Sequence, residues 1–129
     1  MILDSSAILA IVFQESNHRS LSAALLGAEF VGAGTPTLAE AGIVLSSRAP
    51  RDGRSILERF LDEARVQEIP FGEMHWRVAM EAFERFGKGR HPATLNLGDC
   101  FAYATASVAG DVLLFVGRDF AQTDIPPAI

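Results

Sequence analysis

The sequence predicts an α/β fold built on a mostly parallel sheet. Two observations carry that reading. Short apolar runs alternate with amphipathic stretches along the chain, and the last run, Val112 to Val116, is apolar at every position, as a strand covered on both faces requires. A chain of 129 residues with 49% hydrophobic content can bury one sizeable core, so a single domain over residues 1–129 is expected.

The elements follow in order. Met1 to Leu3 reads as a buried strand ending at Asp4, and Ser5 and Ser6 lead into an Ala/Ile/Leu helix. Ser20 to Leu26 reads as a second helix stopped by Gly27, and Glu29 to Val31 as a short strand before Gly-Ala-Gly. Thr35 is placed as an N-cap with Pro36 at the first helical position, so Thr37 to Ser47 is helical and carries Glu40 one turn inside. Arg51 to Ala64 and Glu73 to Phe86 are amphipathic helices, with a strand at Val66 to Ile69 between them. Asn96 caps a further helix that holds Gly98 and Asp99 in its first turn. Leu97, Phe101, Ala104 and Val108 form its apolar stripe, and Gly110 ends it. The final strand, Val112 to Val116, runs into Gly117-Arg118-Asp119.

Composition excludes several classes. Charged residues make up only 21%, against disorder; the apolar start is too short and too interrupted for a signal peptide or membrane span; and the single Cys100 calls for no oxidising compartment, so a cytoplasmic protein with no membrane association is expected. A net charge of −5 argues weakly against a nucleic-acid partner. Basic residues cluster, however, at Arg48, Arg51 and Arg54 and at Arg85, Lys88, Arg90 and His91, and four carboxylates gathered around two divalent cations would offset most of the excess charge.

The carboxylates carry the chemistry. Asp4 directly follows the first strand and Asp119 the last, and a parallel sheet brings the ends of its strands to one edge, where ligands bind. Asp99 starts the helix leading into the last strand, at an edge the sequence leaves open. Glu40 lies among Leu38, Ala39, Ala41, Ile43 and Val44, where an uncompensated charge costs several kcal/mol, roughly. A metal ion would compensate, and so would an arginine such as Arg48 or Arg118. Carboxylates without thiols or spaced histidines suit Mg2+ or Mn2+ rather than zinc, one or two ions per site, and point to phosphodiester hydrolysis by activated water. No P-loop, nucleophile elbow or zinc spacing is present.

Singly, each residue has a structural reading. Asp4 can cap a helix, Asp99 can favour a helix N-terminus, and Asp119 and Asp124 can be turn formers. Cys100 reads as a small core residue, and the Trp76, Ala79, Met80, Phe83 stripe as core or dimer packing.

Four ordered segments, MILDSSAILAI, TPTLAEAGIVL, LNLGDCFAYATA and LLFVGRDFAQTDI, resemble the acidic motifs of PIN-domain ribonucleases of the VapC toxin family, over almost the whole chain. The resemblance implies a three-layer α/β/α PIN domain and Mg2+- or Mn2+-dependent endonucleolytic cutting of RNA. It also implies a VapB-type antitoxin partner, a homodimer, and contact with operator DNA only through the antitoxin. By position, Asp4 and Asp99 are implied as direct metal ligands, Glu40 and Asp119 as completing the cluster, Asp124 as a minor candidate, and Ser5, where relatives commonly have threonine, as holding a carboxylate or water. The rival readings are a catalytically silent PIN-like binding or scaffolding module, separated by cation-dependent turnover, and a metal-dependent DNA nuclease or phosphatase, separated by comparing RNA with DNA.

Overall fold

The computed structural model describes Met1 to Ile129. Its elements are β1 (Ile2–Leu3), α1 (Ser5–Val12), α2 (His18–Gly27), β2 (Gly32–Gly34), α3 (Thr35–Arg48), α4 (Gly53–Glu63), β3 (Gln67–Ile69), α5 (Glu73–Phe86), α6 (Leu97–Ala109), β4 (Leu113–Leu114) and a 3-10 turn at Phe120–Gln122. The strands form one sheet in the order β3-β2-β1-β4, with every pair parallel. Ile2 stands opposite both Gly32 and Leu113.

Side chains alternate across a strand, and here that alternation makes three layers. Ile2 and Leu113 point into a core with residues of α5 and α6, including Ala82, Phe86, Cys100 and Tyr103. Leu3 and Leu114 point the other way, into a core with Ala7, Ile8, Leu21, Leu38 and Phe60 from α1 to α4. All four strand residues are fully buried, as the apolar last run requires.

Three expectations are corrected. The second strand falls on Gly32–Gly34 rather than Glu29 to Val31. A Cβ on Gly32 would come within 2.7 Å of Ile69, and one on Gly34 within 2.6 Å of the Thr105 hydroxyl, so the close approach of β3 and α6 selects glycine inside the strand. Thr35 is already helical; Gly34 occupies the cap position and no side chain caps α3. The last ladder is shorter than Val112 to Val116, because the chain turns away after Leu114, and the C-terminal tail covers the outer edge of β4 through Leu113 N to Pro126 O and Ala128 N to Leu113 O, each 2.9 Å.

The apolar stripes are also only partly core. Ala104 and Ala79 are buried, but Leu97 is 70% exposed and Met80 57%, so the outer faces of α5 and of the start of α6 meet solvent.

Candidate metal centre

Parallel strands end at one edge, and α1 and α3 begin there, directly after β1 and β2. Asp4 is the N-cap of α1: Ser6 N donates to Asp4 Oδ2 at 3.0 Å, and the Ser6 hydroxyl donates to the same oxygen. Ser6 Oγ in turn accepts from Val116 N at 3.0 Å, tying Asp4 to the segment that leads from β4 to Asp119. Ser5 donates to Glu40 Oε1, which joins α1 to α3. Asp99 and Asn96 form a reciprocal capping box at the start of α6. Asn96 N donates to Asp99 Oδ2 at 3.0 Å, and Asp99 N to Asn96 Oδ1 at 2.9 Å. Glu40 also reaches α6, where Gly98 leaves the room it needs; a Cβ there would overlap Glu40 Oε2.

The structural readings of Asp4 and Asp99 as caps therefore hold, and they do not exhaust these residues. In Asp4, Glu40 and Asp99 one carboxylate oxygen is fixed by a protein donor, while the other has none. None of these three, nor Asp119, enters a salt bridge. The arginine alternative for Glu40 is not realised: Arg48 lies over the Phe13 ring, 4.4 Å from its centroid, and Arg118 pairs with no acid.

The charges act on one another. Burial pushes the Asp4 carboxyl up to about 6 despite its bonds from Ser6, and the charges of Asp99 and Glu40 add to the rise. Burial likewise raises Asp99, with Asp119 and Glu40 contributing. Asp119 is exposed, at the N-terminal end of the 3-10 turn. The structure thus brings Asp4, Glu40, Asp99 and Asp119 to one region.

Asp124 does not join them. Tyr103 OH donates to its Oδ1 at 2.6 Å and Arg85 to its Oδ2 at 2.8 Å, so its oxygens are committed elsewhere.

The donor set fits a hard divalent cation: every atom is oxygen, several are ionisable, and no thiol or imidazole intrudes. No three of the carboxylates are close enough together to form a ready-made cage. Two polar residues were missed by sequence reasoning. In the sequence Ser6 reads only as a lead into the helix, although an Asp followed two residues later by a hydroxyl at a helix start is the available signal. Thr37, in the first turn of α3, is buried with an unpartnered hydroxyl, and no sequence signal points to it.

An α/β/α sandwich with carboxylates outside the carboxyl ends of its strands is compatible with metal-assisted phosphodiester chemistry. Residues 1–126 match the PIN domain family. The chain is 45% identical over 126 residues to ribonuclease VapC36 of Mycobacterium tuberculosis, covering 97% of this chain and 91% of the relative. It superposes on VapBC2 from Rickettsia felis, solved bound to a DNA fragment from its promoter, with a TM-score of 0.74 at 16% identity, covering 97% and 92% of the two chains. Against VapC20 of Mycobacterium tuberculosis, a sarcin-ricin loop cleaving toxin, the TM-score is 0.71 at 15% identity, covering 98% of each chain. Those two likenesses concern the fold, whereas the sequence identity reaches further: the chain belongs to the VapC ribonuclease family of PIN domains.

Proposed function

We propose that this protein is the toxin of a type II toxin-antitoxin pair, an endoribonuclease that depends on Mg2+ or Mn2+ held by its carboxylate cluster. One observation carries the reading: Asp4, Glu40 and Asp99 each have one oxygen fixed by the protein and one without a protein donor, and no protein cation neutralises them. Asp4 and Asp99 are the direct ligands in this reading, with Glu40 and Asp119 completing the set. Such an ion, when bound, activates water and offsets charge at the scissile phosphate. The protein's own part is orientation. Ser6 fixes Asp4, Ser5 fixes Glu40, and Asn96 fixes Asp99, so the free oxygens are presented without rotamer search.

RNA is the substrate in this reading, which the similarity to ribonuclease VapC36 supports. A VapB-type antitoxin is the inhibitory partner, in line with the VapBC2 assembly, and promoter DNA is met only through it. A homodimer is supported by the exposed apolar residues Trp76, Met80 and Phe83, which with Leu97 line a groove of about 550 Å3 on α5 and α6.

The test is digestion of total RNA and of DNA of matched sequence, each with Mg2+ and with chelator, followed by mapping of new ends. Discrete RNA ends that need the cation are expected. DNA cleavage at equal rate would move the reading to a general nuclease, and no cation-dependent cleavage of either would leave a silent scaffold.

A further inference from the structure

The last acidic motif carries two carboxylates, and the site takes only one of them. Asp119 lies with the cluster, since its charge helps to raise the Asp99 carboxyl. Asp124 instead has Oδ1 held by the Tyr103 hydroxyl at 2.6 Å and Oδ2 by Arg85 at 2.8 Å. Tyr103 is buried, and a buried hydroxyl that donates to a carboxylate makes a strong, charge-assisted bond. The Arg85 pair is half in solvent and adds less.

The chain from Asp119 to Asp124 is stiff. Gln122 N donates to Asp119 O at 3.2 Å, and Thr123 donates to Phe120 O from its amide at 3.0 Å and from its hydroxyl at 2.7 Å. Ile125 N donates in turn to the Thr123 hydroxyl at 3.2 Å. Phe120 is buried, with its ring centroid 5.1 Å from that of Phe115. A run of bonds thus carries the position of Asp124 back to the Asp119 backbone. Ahead of it the chain is looser: Gly117, Arg118 and Asp119 are exposed, and Gly117 turns at φ +108°.

Each end of this segment is fastened to an element that bears a site carboxylate. Val116 N donates to Ser6 Oγ at 3.0 Å, the same hydroxyl that holds Asp4. Tyr103 stands one turn after Asp99 on α6, so its bond to Asp124 refers the segment to the helix that presents Asp99. Asp119 is therefore carried on a strap strung between the elements of Asp4 and Asp99.

We propose that Asp124 is a positioning residue and not a ligand: with Tyr103 it forms a clamp that fixes Asp119 against Asp4 and Asp99. The proposal rests on the metal-dependent ribonuclease reading for the identity of the cation that Asp119 helps to hold. Without the clamp, Asp119 moves with its exposed turn, and the cost of ordering that turn falls on cation binding.

The test is Mn2+ binding to the RNA-free protein, read by calorimetry. Five proteins are compared: wild type, Tyr103→Phe, Asp124→Ala, Asp119→Asn and the double variant Asp119→Asn/Tyr103→Phe. Tyr103→Phe leaves every carboxylate in place, and it is expected to weaken binding about fivefold, with Asp124→Ala losing at least as much and Asp119→Asn about tenfold or more. On the Asp119→Asn background Tyr103→Phe should cost nothing further, because the clamp has no charge left to position. Lower stability alone does not imitate this pattern, since a protein that remains almost wholly folded keeps its native affinity, and paired melts check that condition. The clamp is overturned if Tyr103→Phe binds Mn2+ as wild type does, whatever its melting temperature, or if it loses as much affinity on the Asp119→Asn background as alone. A loss in Asp124→Ala with wild-type affinity in Tyr103→Phe overturns it by making Asp124 a ligand. Wild type that binds no Mn2+ overturns the metal site and the clamp together, whereas the expected binding with RNA left uncut in a parallel reaction overturns the ribonuclease reading alone.

Discussion

At the scale of single residues, helix capping and the proposed ligation fall on the same carboxylates. Asp99 closes the capping box of α6 with Oδ2 and leaves Oδ1 without a protein donor. An asparagine there can still accept from the Asn96 amide, so Asp99→Asn should keep the helix while removing a charge that raises Asp4 and that is itself crowded by Glu40 and Asp119. We expect its melting temperature in chelator to equal or exceed that of wild type, with a smaller rise on adding millimolar Mg2+, because stabilisation by a ligand follows its affinity for the native state. A mutant clearly less stable in chelator that gains as much from Mg2+ would make Asp99 a cap and nothing more. Thr37 offers a second test. Thr105, the other buried helical threonine, bonds back to Phe101 O at 2.8 Å, but the carbonyl four residues before Thr37 belongs to β2, and its hydroxyl has no partner. Thr37→Val is expected to stabilise by about 1 kcal/mol in urea unfolding, since an unpaired buried hydroxyl costs free energy; a loss of that size would show the hydroxyl is engaged. Asp4 and Asp119 stand out in the sequence because they follow strands, and Glu40 because its neighbours are apolar, whereas Asp99 is picked out only by the family resemblance. The grip of Ser6 on both Asp4 and Val116 is not legible there, since it depends on which backbone amide lies opposite.

At the scale of elements, sequence periodicity located every helix, and failed where tertiary packing overrides propensity. Gly-Ala-Gly reads as punctuation, yet it is β2, because Ile69 and Thr105 crowd the places where side chains would stand. The Leu97 to Val108 spacing predicted one stripe, whereas α6 is wedged between the sheet and α5 and buries Cys100, Ala102, Tyr103, Ala104, Thr105 and Ala106 around most of its middle. The C-terminal segment is held by side chains as well as by its backbone bonds to Leu113. Tyr103 donates to Asp124, which keeps the Asp124 carboxyl below the usual aspartate range, and Arg85 adds to the effect. A carboxyl lowered in the folded state stabilises above its unfolded pKa of about 3.9 and loses that contribution as pH falls through its lower folded value. Tyr103→Phe should therefore cost up to about 1 kcal/mol at neutral pH, reduced by solvent around the half-exposed Asp124, and the gap to wild type should narrow as pH falls below the usual aspartate range in paired urea titrations. A gap that persists unchanged into acid would assign the loss to packing.

At the scale of the whole molecule, strand–helix alternation predicts the parallel sheet and the family resemblance its three layers, but the exposed face of α5 is not legible, since a stripe bound for a core and one bound for a partner have the same period. Trp76 is 45% exposed and Met80 57%, and we expect micromolar protein to sediment as a dimer that Met80→Glu converts to monomer; wild-type protein that is monomeric throughout that range would refute the interface. No helix is long and apolar enough to cross a membrane. The central claim is that a cation held by Asp4, Glu40, Asp99 and Asp119 drives RNA cleavage, and it is tested most directly by initial cleavage rates of one defined RNA. Wild type and Asp99→Asn are titrated with Mg2+ and, separately, with Mn2+, starting from chelator. Wild type should be silent in chelator and rise to saturation with either ion, while Asp99→Asn stays at least about a hundredfold slower at every concentration although its fold is intact. Equal saturating rates for the two proteins, or wild-type cleavage that persists in chelator, would contradict it.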